Sequence, residues 1–321
     1  MYEFGWGEKG ATLQQTRVIA AKMFDVFREE ERSRFIDFTL KSAPVQKCMG
    51  WWFTRKVLGG KDTENYPQKI GDCTSFGMKN AGEYLSCADI IKRGDLEEFK
   101  PLFPPYLFGA GRKIMGARSK AANDGCYGGA LAKAAMTYGF LNSDAQDVPK
   151  YDYNTAINFS GPNRDGSWEF EKFTQIGKQH LVQVAAKITT WEELVNGICN
   201  AYFATIASGQ GFEMSPRSDG FHYPRGSWPH QMSIIGIDNT YKTPYAIILN
   251  SWGDVMGRLK DFETGEDLPV GTLRVRADVI VSMMQDECYL ISGFNGFPKF
   301  EIPANFFNIF GGPGDIWNPF R

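Results

Sequence analysis

The chain has 321 residues, 43% of them hydrophobic and 22% charged, with a formal net charge of -2. That length can bury a full core, as one large domain or two lobes. The near-neutral balance argues against a nucleic-acid partner, and no apolar run reaches the roughly 18 residues that a membrane span needs.

In chain order, Met1–Glu8 lacks the basic start and apolar run of a secretory signal, so an intracellular setting is expected. Leu13, Val18, Ile19, Met23, Phe24, Val26 and Phe27 recur near helical spacing, and residues 12–40 read as a helix ending in the charged, solvated run Arg28–Arg34. Trp51-Trp52-Phe53 precedes a turn-rich break at Gly59-Gly60-Lys61-Asp62, which closes an N-terminal extension over 1–60. From Cys73 the pattern is helical again through Phe76, Met78, Ala81, Tyr84 and Leu85. Residues 123–141 are a glycine turn feeding a helix that stops at Gly139.

Near Tyr151 the period changes. Leu181–Ile188, Tyr202–Ala207, Met232–Ile237, Tyr245–Leu249 and Thr272–Val275 read as strands, and Thr190-Trp191-Glu192-Glu193 as a helix cap. The expected division is a helical part over 61–150, a β-rich part over 151–288 and an aromatic arm over 289–321. That arm carries Phe294, Phe297, Phe300, Phe306, Phe307, Phe310, Trp317 and Phe320, too apolar for a free linker. It is expected to pack on its own body or on partner proteins in a larger assembly.

Six cysteines show no stapled pattern, and free thiols are the default without a secretion signal. Three histidines and no Cys-x-x-Cys argue against zinc; nothing in the sequence asks for a metal or cofactor.

Three segments carry chemistry. Gln68-Lys69-Ile70-Gly71-Asp72-Cys73 offers a thiol at a helix start, where the dipole favours a thiolate. Pro229-His230 offers an imidazole; His180 and His222 are the rivals. Asn250-Ser251-Trp252-Gly253 offers a carboxamide that can hold an imidazole ring, with an indole to shield it. A cysteine nucleophile needs such a base and such an orienting group.

This order and spacing resemble the papain-like cysteine peptidases. Cys73-Thr-Ser-Phe-Gly-Met-Lys-Asn-Ala-Gly-Glu resembles their nucleophile helix, and Pro229–Ile237 their histidine strand. Asp124-Gly125-Cys126-Tyr127-Gly128-Gly129 resembles their glycine-rich turn, Gly271-Thr-Leu-Arg-Val their glycine-led strand, and Tyr151-Asp152-Tyr153 a Tyr-Pro-Tyr found in many members. The resemblance covers roughly 62–285. It implies an α+β, two-lobed fold with the active site in the cleft between a helical and a β-sheet or barrel lobe. It implies a peptidase or amidase acting on peptide or protein substrates through Cys73, His230 and Asn250, supported by Trp252. Gln68 and the Cys73 N–H stand as oxyanion-hole donors, with one residue fewer between them than is usual. Gly128 and Gly129 stand as substrate-binding, Gly129 toward the substrate main chain.

The sequence departs from the family at Thr74, where Trp is usual, and at Ile70, where a cysteine would pair with Cys126. Residues 258–270 look inserted, and 1–60 do not resemble the usual pro-segment. Divergent modules of this kind are similar to some in bacteriophage particles, so a virion-associated structural component on the same fold is the alternative.

Overall fold

The computed structural model describes residues 5–25, 45–93, 97–122 and 124–298. The helices are α1 (Leu13–Asp25), α2 (Trp51–Val57), α3 (Cys73–Arg93), α4 (Pro104–Ile114), α5 (Gly128–Thr137), α6 (Tyr153–Phe159), α7 (Thr174–Gly177), α8 (Trp191–Cys199) and α9 (Ala277–Met284). The strands are β1 (Lys47–Met49), β2 (Glu97–Glu98), β3 (Val182–Lys187), β4 (Phe203–Phe212), β5 (Pro224–Asp238), β6 (Tyr245–Leu249), β7 (Thr272–Arg276), β8 (Glu287–Phe294) and β9 (Phe297–Pro298).

The main sheet is antiparallel, in the order β3-β8-β4-β5-β6-β7, with β1 also paired to β5. Strand β6 (Tyr-Ala-Ile-Ile-Leu), made of β-formers, is buried along its whole length. β5 is the longest strand at 15 residues. It pairs Ser208 of β4 with His230 and Ser233 with Leu249 of β6, so His230 and the residue after β6 come to one end of the sheet.

α3 is the central helix. Phe76, Met78, Ala81, Tyr84, Leu85 and Ala88 are all buried, but so are Ser75, Asn80, Glu83 and Ser86. A helix covered all round cannot be amphipathic. Its buried charges are paired: Lys79 Nζ lies 2.9 Å from Glu83 Oε2, and Glu83 Oε1 accepts from the Leu102 N–H. Gly77 lets the sheet approach, since a Cβ there would come 3.0 Å from Gln231 Cγ. Ser233 Oγ–H donates to Gly77 O across the same contact.

Three boundaries differ from the sequence reading. Helical structure continues past Tyr151 through α6 and α7, which ends at Gly177, and the run of strands β3 to β9 begins only at Val182. Phe159 and Phe170 pack beneath α4 through Phe103 and Tyr106, which keeps this stretch with the helices. The aromatic arm also begins later: β8 lies inside the main sheet, and Phe294 and Phe297 are buried. Within 1–60, β1 and α2 belong to the body, with Trp51 1% exposed. Residues 26–44 and 299–321, on which the rest of the helix reading and of the docking-arm expectation fall, lie outside the described residues. Among the described residues no helix is long and apolar enough to cross a membrane.

Candidate active site

Cys73 is the first residue of α3 and is 0% exposed. The helix begins because Asp72 O accepts from the N–H groups of Ser75 and Phe76. Its first turn carries no acidic side chain, so the positive end of the helix faces the sulfur, with the Asp72 carboxyl just before it acting the other way. The Gln231 N–H points at Cys73 Sγ from 3.4 Å, which sets the thiol beside the residue that follows His230.

His230 Nε2 lies 2.8 Å from Asn250 Oδ1. The same oxygen accepts from the Ser251 N–H at 2.7 Å. An atom that accepts a backbone N–H must be the carboxamide oxygen, so Nε2 is the imidazole donor. In the neutral ring the lone pair is then on Nδ1. Trp252 covers this bond, its ring centroid 4.6 Å from that of His230, and Trp228 lies 4.9 Å beyond. All three groups are buried, which excludes water and strengthens the bond. Asn250 itself is fixed where β6 ends by its N–H to Gly271 O.

Gln68 is anchored to the segment after Asn250. Its N–H donates to Ser251 O at 2.9 Å, and its Oε1 accepts from Ser251 Oγ–H at 2.6 Å. One amide hydrogen of its Nε2 goes to Ile70 O at 2.8 Å. The carboxamide therefore lies over the turn that leads to Cys73.

The cleft is covered by residues Gly5–Gly7 of the same chain. Trp6 N–H donates to Pro229 O (3.2 Å), Gly7 N–H to Cys126 O (2.9 Å) and Cys126 N–H to Gly5 O (2.8 Å). The Gly5 backbone also favours the charged form of the Cys73 thiol. The passage is so close that a Cβ on Gly5 would fall 1.9 Å from Gly71 O, and one on Gly125 would fall 1.9 Å from Gly5 O. Trp6 Nε1–H reaches Glu287 Oε2 at 2.6 Å. The Glu287 carboxylate also accepts from the N–H groups of Gly128 and Gly129, each at 2.9 Å. The two glycines expected to meet substrate thus donate to an internal carboxylate at the α5 N-terminus.

Burial dominates the electrostatics. It pushes the Cys73 thiol up to about 12, with the neighbouring N–H groups opposing. It drives His230 down to about 4 against the Asn250 bond. Under the cover, thiol and imidazole are both held neutral. Asp72, 0% exposed, is raised by burial to about 7, although Tyr151 O–H donates to its Oδ2 at 2.9 Å.

Asp72 therefore carries a pH signature. Its ordinary carboxyl value is 3.8, so between about 4 and 7 the folded protein holds a proton that the unfolded chain releases. Stability falls as pH rises through that window and is level above it. Asp72→Asn removes this cost. It is expected to gain stability over wild type at pH 8, by ~4 kcal/mol at most, and to lose that advantage near pH 4. His230 acts with the opposite sign below pH 6.5, identically in both proteins, so the difference isolates Asp72. Urea midpoints across pH measure it; a pH-independent difference would refute the assignment.

The other histidines are committed to main-chain partners. His180 Nδ1 lies 3.1 Å from Gly296 O, and His222 Nε2 2.8 Å from Met256 O. All six cysteines are buried free thiols, and Ile70, where the resemblance would put a second cysteine, is buried as well. Sequence reasoning missed Glu287, Trp6 and the Tyr151–Asp72 contact. The one available signal was Gly5-Trp6-Gly7, a tryptophan set between two glycines.

No family profile matches the chain, and no curated protein matches its sequence. Solved structures do match in fold. The chain is similar to xylellain, a cysteine protease from Xylella fastidiosa, with a TM-score of 0.50 and 15% identity over 77% of this chain and 86% of that one. It is similar to proCathepsin B S9 from Trypanosoma congolense, with a TM-score of 0.50 and 12% identity over 82% and 80% of the two chains. The chain therefore has a papain-like α+β fold.

Proposed function

We propose that the protein is a cysteine peptidase or amidase that cleaves peptide or protein substrates. The observation that carries this reading is the doubly accepting Asn250 oxygen, which leaves the His230 lone pair on the ring nitrogen away from Asn250. In the reaction, the Cys73 thiol proton passes to His230 Nδ1 and the sulfur attacks the amide carbon. Negative charge gathers on the carbonyl oxygen, toward which the Cys73 N–H and the Gln68 carboxamide would donate. His230 returns the proton to the departing amine, leaving a thioester on Cys73. It then takes a proton from water as the water attacks, and the acid leaves with the thiol restored. Asn250 takes no proton; it holds the ring.

An epoxide that alkylates thiolates tests this in the full chain carrying Trp6→Ala, which releases the cover. Peptide mapping should find Cys73 labelled and the other five cysteines unlabelled. A protein with an open cleft that is not labelled at Cys73 would refute the peptidase reading. The covered cleft favours one second reading, a structural role in which the fold serves as scaffold and the site is never opened. That reading predicts no labelling in the same experiment.

A further inference from the structure

We propose that Tyr151 and Asp72 are positioning residues for the reaction proposed above, forming a hydrogen-bonded clasp that fixes the shape of the Gln68–Cys73 turn. The inference rests on that reading of Cys73 and Gln68. Tyr151 lies far along the chain, yet its hydroxyl oxygen accepts from the Lys69 N–H at 2.7 Å and donates to Asp72 Oδ2 at 2.9 Å. The hydroxyl has one proton. Since Lys69 supplies the first bond, that proton goes to the carboxyl group. One oxygen thus ties the front of the turn to its last residue before the nucleophile.

The ring that carries this oxygen is itself fixed. Tyr151 packs 5.2 Å from Tyr66 and 5.3 Å from Phe76, and those two rings are 5.4 Å apart. Phe76 lies in the first turn of α3, so the three rings join the clasp to the nucleophile helix. The rest of the turn has other supports: Ser251 holds Gln68, and Ala122 O accepts from the Gly71 N–H. Tyr151 bonds both the Lys69 N–H and the Asp72 carboxyl, and the Ile70 N–H also favours that carboxyl from within the turn.

Asp72 does not do the ordinary work of an aspartate before a helix. Such a side chain usually accepts an N–H of the first turn. Here the Ser75 N–H goes to the Asp72 main-chain carbonyl, and the carboxyl turns to Tyr151. The first-turn field is left to the Cys73 sulfur. Both oxyanion donors, the Gln68 amide and the Cys73 N–H, sit at the ends of the clasped turn. Displacing either by a fraction of an ångström weakens charge stabilisation in the transition state more than it weakens substrate binding.

Tyr151→Phe keeps the ring cluster and deletes the bridging oxygen. In the full chain carrying Trp6→Ala, it is expected to lower kcat about tenfold with KM changed less than about twofold. Asp72→Ala should do the same, and the double variant should be no worse than either single one. Asp72→Asn keeps an oxygen acceptor for Tyr151 and should recover most of the loss. Amide exchange over 68–73 should quicken in Tyr151→Phe and Asp72→Ala but not in Asp72→Asn. Unchanged kcat and exchange in Tyr151→Phe, or additive losses in the double variant, would overturn the clasp. If the parent protein turns over no peptide, the peptidase reading fails by itself, and exchange over the turn decides whether the clasp exists.

Discussion

Cys73→Ala is expected to abolish amide hydrolysis, lowering the rate by about a thousandfold or more, while the thermal transition stays close to that of wild type. The size follows from the chemistry: without sulfur there is no nucleophile and no thioester. The fold should survive because Cys73 contributes one small side chain at the start of a 21-residue helix whose burial lies further along, at Phe76, Met78, Tyr84 and Leu85. His230→Ala should fail comparably, having lost the base. Asn250→Ala should lose less, about tenfold to a hundredfold, because it removes only the group that sets the tautomer. Turnover of a fluorogenic peptide, with circular dichroism as the fold control, measures all three. Equal turnover by Cys73→Ala and wild type would refute the mechanism outright.

What was legible in the sequence was what is local. Asn250-Ser251-Trp252-Gly253 and Pro229-His230 are strings in which each residue serves its neighbour, so the pattern survives without any alignment. Strand β6 was readable because Tyr245–Leu249 is a short run of β-formers bounded by turn residues. β8 was not. Glu-Cys-Tyr-Leu-Ile-Ser-Gly-Phe is buried on both faces between β3 and β4, so it lacks the alternation that marks a strand with one wet side. Its phenylalanine then reads as the start of an arm. The Asp152 carboxylate caps α6 by accepting the Thr155 N–H, but the helix is too short to show a period, which is why the helical region reads as ending at Tyr151.

The site's missing parts share a different cause. Gly128 and Glu287 are 159 positions apart, and Tyr151 and Asp72 are 79 apart. Such pairs are joined by folding and leave no spacing to read. The cover is harder still, since most of its bonds run from backbone to backbone and carry no residue code. Besides the Gly5-Trp6-Gly7 string, the glycines at 5 and 125 mark it, because two stretches of chain pass there with no room for a Cβ.

That cover sets the second large effect. Trp6→Ala and Gly5→Ala, made separately in the full chain, are each expected to raise the alkylation rate of Cys73 and the peptide turnover by about tenfold or more. Trp6 is 3% exposed and holds its place by the indole bond to Glu287. Truncating a buried tryptophan costs about 3–5 kcal/mol, as much as or more than the three main-chain bonds of Gly5–Gly7 supply at roughly 0.5–1.5 kcal/mol each. Gly5→Ala acts by another route, forcing a Cβ against the Gly71 carbonyl. Opening also reverses the electrostatics, since water at the cleft removes the burial that holds Cys73 high and His230 low. The neutral pair can then become thiolate and imidazolium, and the acid limb of the alkylation profile should move to lower pH in both variants. Alkylation by iodoacetamide across pH measures the effect without any substrate. If both variants fold normally and Cys73 reacts no faster than in wild type, the segment does not control access to the thiol.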